Sequence, residues 1–167
     1  MNKIYITIVC LLLLFIYSCQ KENEVKINQN NKIQVEKIEI ICSEKNQVFF
    51  KIISKEGYTD KDKNIVYLKD IKAYLFKDKK LFYEIKSDKA KYLKNLNQII
   101  VYSANGFNYK DKLKFTSSEI IFKQKEKEVI FKNIFINYSK NQIKGQELIL
   151  DKNFNELKIK NVKAFLF

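Results

Sequence analysis

From Ile33 onward, apolar and polar residues alternate with a period of two, and the alternation jumps phase at matched places. Period two is the signature of a β-strand with one buried face. Val66 and Leu68 share a face, but the next apolar set is Ile71, Ala73 and Leu75, a step of three. The same step separates Val35 from Ile38, Ala104 from Phe107, Phe131 from Ile134 and Ile159 from Val162. A slip of one residue sends every later side chain to the other face of a pleated strand. A chain that keeps one face inward must therefore insert a bulge or corner at each slip. The inserted pairs are Glu36-Lys37, Lys69-Asp70, Asn105-Gly106, Lys132-Asn133 and Lys160-Asn161. Asp, Asn and Gly tolerate the left-handed backbone that corners require. A second slip follows between Ser87 and Ala90, between Ser117 and Ile120, and between Gly145 and Leu148.

Polar turns separate the bent arms: "KDKK" at 77–80, "KDK" at 110–112 and "SKNQ" at 139–142. The repeating unit is thus a hairpin with both arms bent. Four units begin near Ile33, Val66, Tyr102 and Val129, with a half-unit near Leu157. The octapeptide "KDIKAYLF" (69–76) recurs as "KNVKAFLF" (160–167) because each is the first bent arm of its unit. Stacked bent hairpins predict an all-β fold: an open, V-shaped β-jellyroll with a concave apolar groove and unpaired edges on its first and last strands. The inward positions are Ile71, Ala73, Leu75, Tyr83, Ile85, Phe107, Phe115, Ile120, Phe122, Ile134, Ile136, Ile143, Leu148, Val162, Ala164 and Leu166, with Gly106 and Gly145 in structural roles.

The segment before the alternation is of another kind. Residues 1–18 have a lysine near the start and an apolar run from Ile4 to Tyr17, shorter than the roughly 20 residues of a spanning helix. Basic start, apolar middle and a small residue before a cut predict a signal peptide. "IYSC" resembles a lipobox, which makes Cys19 the expected lipidated N-terminus, an uncleaved signal anchor being the alternative. Residues 19–32 read as a flexible polar spacer, and residues 33–167 as the β-domain.

Composition removes several classes of chemistry. The chain has no His, which excludes His-based acid–base catalysis, Ser-His-Asp triads and His metal sites. With Cys19 acylated, Cys42 is the one thiol of the mature chain, too few for a thiolate metal cluster. Gly57, Gly106 and Gly145 stand apart, so there is no Gly-rich phosphate loop. Glu84, Asp88, Glu119 and Glu147 fall at solvent-facing strand positions and read as surface carboxylates. The reading is a non-enzyme with no cofactor and no metal. The net charge of +13 is spread along the chain, and all 32 basic residues are Lys. Base readout and phosphate forks lean on Arg, so nucleic acid is not an expected partner.

Three segments carry a family likeness: "KDIKAYLFKDKKLFYEIKSDKAKYLKNLNQI" (69–99), "KFTSSEIIFKQKEKEVIFKNIFI" (114–136) and "QIKGQELILDKNFNELKIKNVKAF" (142–165). With the outward-facing leader, this pattern resembles the LptC-type periplasmic component of the lipopolysaccharide export system, with its OstA-like β-jellyroll. The resemblance implies a non-enzymatic lipid-transfer protein. It would accept lipopolysaccharide or a related glycolipid from inner-membrane ABC transporter subunits near its N-terminal strand. It would pass that lipid to a periplasmic β-jellyroll bridge protein at its C-terminal strand. The inward positions named above would then line the acyl-chain groove. The expected location is the periplasm, anchored to the inner membrane through an N-terminal lipid or signal anchor. The family is often held by a transmembrane helix, whereas this chain carries a lipobox-like leader. The alternative is a β-rich surface or periplasmic lipoprotein that binds another ligand or a protein partner.

Overall fold

The computed structural model describes residues 25–28, 32–45, 47–60, 64–138, 141–151 and 157–165. Among them there is no helix. The strands are β1 (Val25–Asn28), β2 (Lys32–Glu44), β3 (Gln47–Asp60), β4 (Ile65–Lys77), β5 (Lys80–Leu93), β6 (Gln98–Asn108), β7 (Leu113–Lys123), β8 (Glu128–Tyr138), β9 (Asn141–Leu150) and β10 (Leu157–Phe165). They form one antiparallel sheet in chain order, β1 and β10 at its edges. Every connection is a local hairpin, so the fold needs no crossover. The β4–β5 turn is a two-residue loop in which Asp78 and Lys79 both have positive φ, at 50° and 63°. That is the type I′ geometry whose twist suits a tight hairpin.

A seam of bends crosses the sheet. The ladder skips Lys37 and Lys55 between β2 and β3, Lys55 and Asp70 between β3 and β4, and continues to Gln146 and Asn161 between β9 and β10. On β2, β4, β6, β8 and β10 the skipped residue has left-handed backbone: Lys37, Asp70, Ser103, Asn133 and Asn161, with φ of 52°, 51°, 49°, 47° and 51°. Left-handed backbone costs an L-residue roughly 1–2 kcal/mol, least for Asn and Asp. The cost is offset because the rotation keeps the same face inward on both sides of the bend.

Four of the five expected corners lie where the pattern put them. The fifth is Ser103 rather than Asn105-Gly106, so Phe107 faces out and not in. In β6 the inward set is Ile99, Val101, Ala104, Gly106 and Asn108. Gly106 is small for another reason: a Cβ there would overlap the Phe115 ring. The third unit starts at Gln98, four residues before Tyr102. Within the expected spacer, Val25–Asn28 pair with Lys32–Val35 as β1. The leader 1–18, Cys19 and Leu166 lie outside the described residues.

Buried serines serve the seam. Ser54 Oγ donates to the carbonyls of Glu56 (2.6 Å) and Lys69 (2.7 Å) and accepts from the Lys69 N–H (3.1 Å). Ser87 Oγ does the same for the carbonyls of Lys89 and Tyr102 and the Lys89 N–H. Ser117 Oγ donates to the carbonyls of Glu119 (2.8 Å) and Lys132 (2.7 Å). Each hydroxyl replaces the ladder partner that a bend removes, which a buried carbonyl cannot do without. On β9 the equivalent residue is Gly145, buried and without a hydroxyl.

Candidate functional site

The seam divides the sheet into two halves that fold over one another. The first half-sheet adjoins the β2–β3, β4–β5, β6–β7 and β8–β9 turns. The second adjoins the β3–β4, β5–β6, β7–β8 and β9–β10 turns. Phe50, in the first half of β3, meets Phe122, in the second half of β7, edge to face at 5.1 Å. Phe115 in the first half meets Phe131 in the second at 5.5 Å. Tyr83 touches both rings, at 6.0 and 6.3 Å. The inward faces of the two halves therefore line a single trough.

Most of the residues read as inward do face it. Ile71, Ala73, Leu75, Ile85, Phe115, Ile120, Phe122, Ile134 and Leu148 are all buried in one core cluster. Tyr83 and Ile136 are half-buried against that cluster. Over β3–β8 the trough is occupied by these side chains and by Phe50, Phe131, Ile52, Ile99 and Val101. Those five share the alternation, so the sequence carried a signal for them. Toward the C-terminal edge the inner face is open. Ile143 is half-buried, Val162 is 48% exposed, and Ala164 is exposed. Phe107 lies on the outer face, its ring edge-to-face with Tyr109 at 5.0 Å.

The trough is closed at its N-terminal corner. Glu44, at the β2–β3 turn, pairs with Lys127, at the β7–β8 turn, at 2.6 Å. Cys42 Sγ donates to the Gln124 carbonyl at 3.6 Å, tying the same two turns. Burial pushes the Cys42 thiol up, against the pull of Lys127, so it stays protonated at neutral pH. Burial also pushes the Tyr83 phenol up to about 12. Neither group is poised for proton transfer near pH 7. On the outer face, Lys132 and Lys160 together hold the Glu147 carboxyl down to about 2. A hydrogen bond from the Tyr109 hydroxyl (2.7 Å), helped by Lys86, keeps Glu84 low. Both carboxylates are structural partners of lysines. No group of three or more potential metal ligands occurs among the described residues. No helix long and apolar enough to cross a membrane occurs among the described residues.

Comparison with known proteins adds the following. Over residues 4–161 the chain matches the family described as lipopolysaccharide-assembly, LptC-related. No curated protein matches it. Among solved structures it is similar to the crystal structure of LptH, the LptA homologous periplasmic component of the conserved lipopolysaccharide transport device from Pseudomonas aeruginosa. Identity is 8% and the TM-score is 0.48, with 71% of this chain and 94% of that chain covered.

Proposed function

The chain belongs to the LptC-related lipopolysaccharide-assembly family, and from that premise we propose that it is the carrier that accepts lipopolysaccharide from an inner-membrane ABC transporter and passes it to a periplasmic bridge protein. Its family role is in lipopolysaccharide transport, a task of binding and release with no bond made or broken. The observation that carries the finer reading is the trough: one continuous apolar inner face, packed over β3–β8 and open at Ile143, Val162 and Ala164. Acyl chains enter from that open side and lie against Ile134 and Ile136. Each buried methylene gains about 0.8 kcal/mol, so ten carbons offset roughly 8 kcal/mol of the cost of crossing an aqueous gap. Deeper entry parts the half-sheets and replaces side-chain contacts with lipid contacts.

The sheet edges suit the partners. Among the described residues, β10 has a partner only on its β9 side, and β1 only on its β2 side. An exposed edge accepts a strand from another sheet. In this reading β10 docks the periplasmic bridge protein and the N-terminal edge faces the transporter. Cys19, lipidated after removal of residues 1–18, tethers the chain to the inner membrane. Depletion of the protein in growing cells tests the role. Newly made lipopolysaccharide then accumulates at the inner membrane; undiminished arrival at the cell surface would remove the reading.

A further inference from the structure

The β2–β3 and β4–β5 turns stand side by side, and the β7–β8 turn folds over from the second half-sheet to meet them. Between them lies a recess of about 360 Å³. Val48, Phe49 and Phe76 are its large apolar lining residues. Its rim is basic: Lys45, Lys77, Lys79 and Lys127 arrive from three separate turns. Against these four lysines stand two carboxylates, Glu44 and Asp78, which leaves an excess of positive charge on the rim. Lys45 and Lys79 sit in left-handed backbone, with φ of 47° and 63°. Glycine or asparagine adopts that conformation at less cost, so turn geometry does not explain the choice of lysine. The recess also adjoins the corner where Glu44–Lys127 and Cys42–Gln124 tie the half-sheets together.

We infer that this recess is a headgroup site, in which a phosphate monoester carried by an amphiphile settles among Lys45, Lys79 and Lys127 with the adjoining apolar part of the ligand on Phe49 and Phe76. The charges match: a phosphate monoester carries close to two negative charges at neutral pH, and lysines bind it as point charges. The phosphate competes with the Glu44 carboxylate for Lys127. When it wins, the β2–β3 turn loses its Glu44–Lys127 tie to the β7–β8 turn, and the closed corner of the trough loosens. Headgroup recognition and opening of the corner are then a single event. The inference rests on the carrier reading given above and names the part of the lipid that this corner recognises.

Binding to the full chain in detergent micelles tests it, with three probes: bisphosphorylated lipid A, the same lipid A stripped of both phosphates, and inorganic phosphate. The expected result is about tenfold tighter binding of the phosphorylated lipid, the size of one or two charge-assisted contacts. K45Q/K79Q, at exposed turn positions, should erase that preference without changing the melting temperature. E44Q should tighten the phosphorylated lipid and leave the stripped one unchanged. Equal binding of the two lipids by the wild type overturns the inference, as does a preference that survives K45Q/K79Q. Inorganic phosphate binding as tightly as lipid A overturns it too, because the recess would then be a site for the free ion. Equal binding of both lipids leaves the carrier reading intact, whereas failure of both lipids to bind at all sinks that reading together with this one.

Discussion

Ser54→Ala removes a single oxygen from the seam. Its hydroxyl donates to the Glu56 and Lys69 carbonyls and accepts from the Lys69 N–H, all in a fully buried position. The ladder skips Lys55 and Asp70 between β3 and β4, so the Glu56 and Lys69 pair that Ser54 serves borders the bend directly. Leaving a buried backbone donor or acceptor unpaired costs about 1–3 kcal/mol. At about 2–4 °C per kcal/mol for a chain of this size, a loss of about 2 kcal/mol lowers the melting temperature by roughly 4–8 °C. In urea the midpoint should fall while the slope stays constant, because the surface exposed on unfolding is unchanged. The Lys69 amide should lose hydrogen-exchange protection selectively. Ser87→Ala should behave alike, since Ser87 serves Lys89 and Tyr102 in the same way. Ser43→Ala, at an exposed position, should stay within about 0.5 kcal/mol. If Ser54→Ala and Ser87→Ala both match Ser43→Ala, the hydroxyls do not support the seam and the account of the bends is wrong.

Three further outcomes follow from particular contacts. Gly106→Ala pushes a methyl into the Phe115 ring, and should cost about 1–3 kcal/mol; pairing it with Phe115→Leu should recover part of the loss in urea titrations. Lys37→Gly relieves left-handed backbone at φ 52° and should raise the melting temperature by a few degrees, whereas Lys37→Val should lower it. The Glu147 carboxyl is held down from 4.5 to about 2 by Lys132 and Lys160. Its contribution is therefore complete above about pH 4.5 and fades as pH falls toward 2. Glu147→Gln should flatten that stretch of the stability–pH profile, and a profile parallel to wild type would contradict the assignment.

The bends at Lys37, Asp70, Asn133 and Asn161 were legible because a step of three coincides there with an exposed polar residue between two inward sets. The bend in β6 was misread for an instructive reason. Asn105-Gly106 looks like the better corner, yet Ser103 makes the turn, and Gly106 is small to make room for the Phe115 ring. The error moved Phe107 to the wrong face. β1 contributes only Val25 and Ile27, too few apolar residues to register as period two. The serines of the seam had a signal: Ser54, Ser87 and Ser117 are polar residues at inward positions just before a slip. What no alternation encodes is how far the trough is filled. That depends on Phe50 crossing to Phe122, a contact between strands four apart in the sheet. The lysine recess escaped for a similar reason, because its three turns meet only when the half-sheets fold over.

The most direct test places a photo-crosslinking residue at Ile143 or Val162, on the open inner face, and at Phe107 or Lys144, on the outer one, in growing cells. Lipopolysaccharide adducts should form from Ile143 and Val162 and not from Phe107 or Lys144. Adducts from the outer positions alone, or adducts only with proteins at all four, would contradict a lipid carried between the half-sheets.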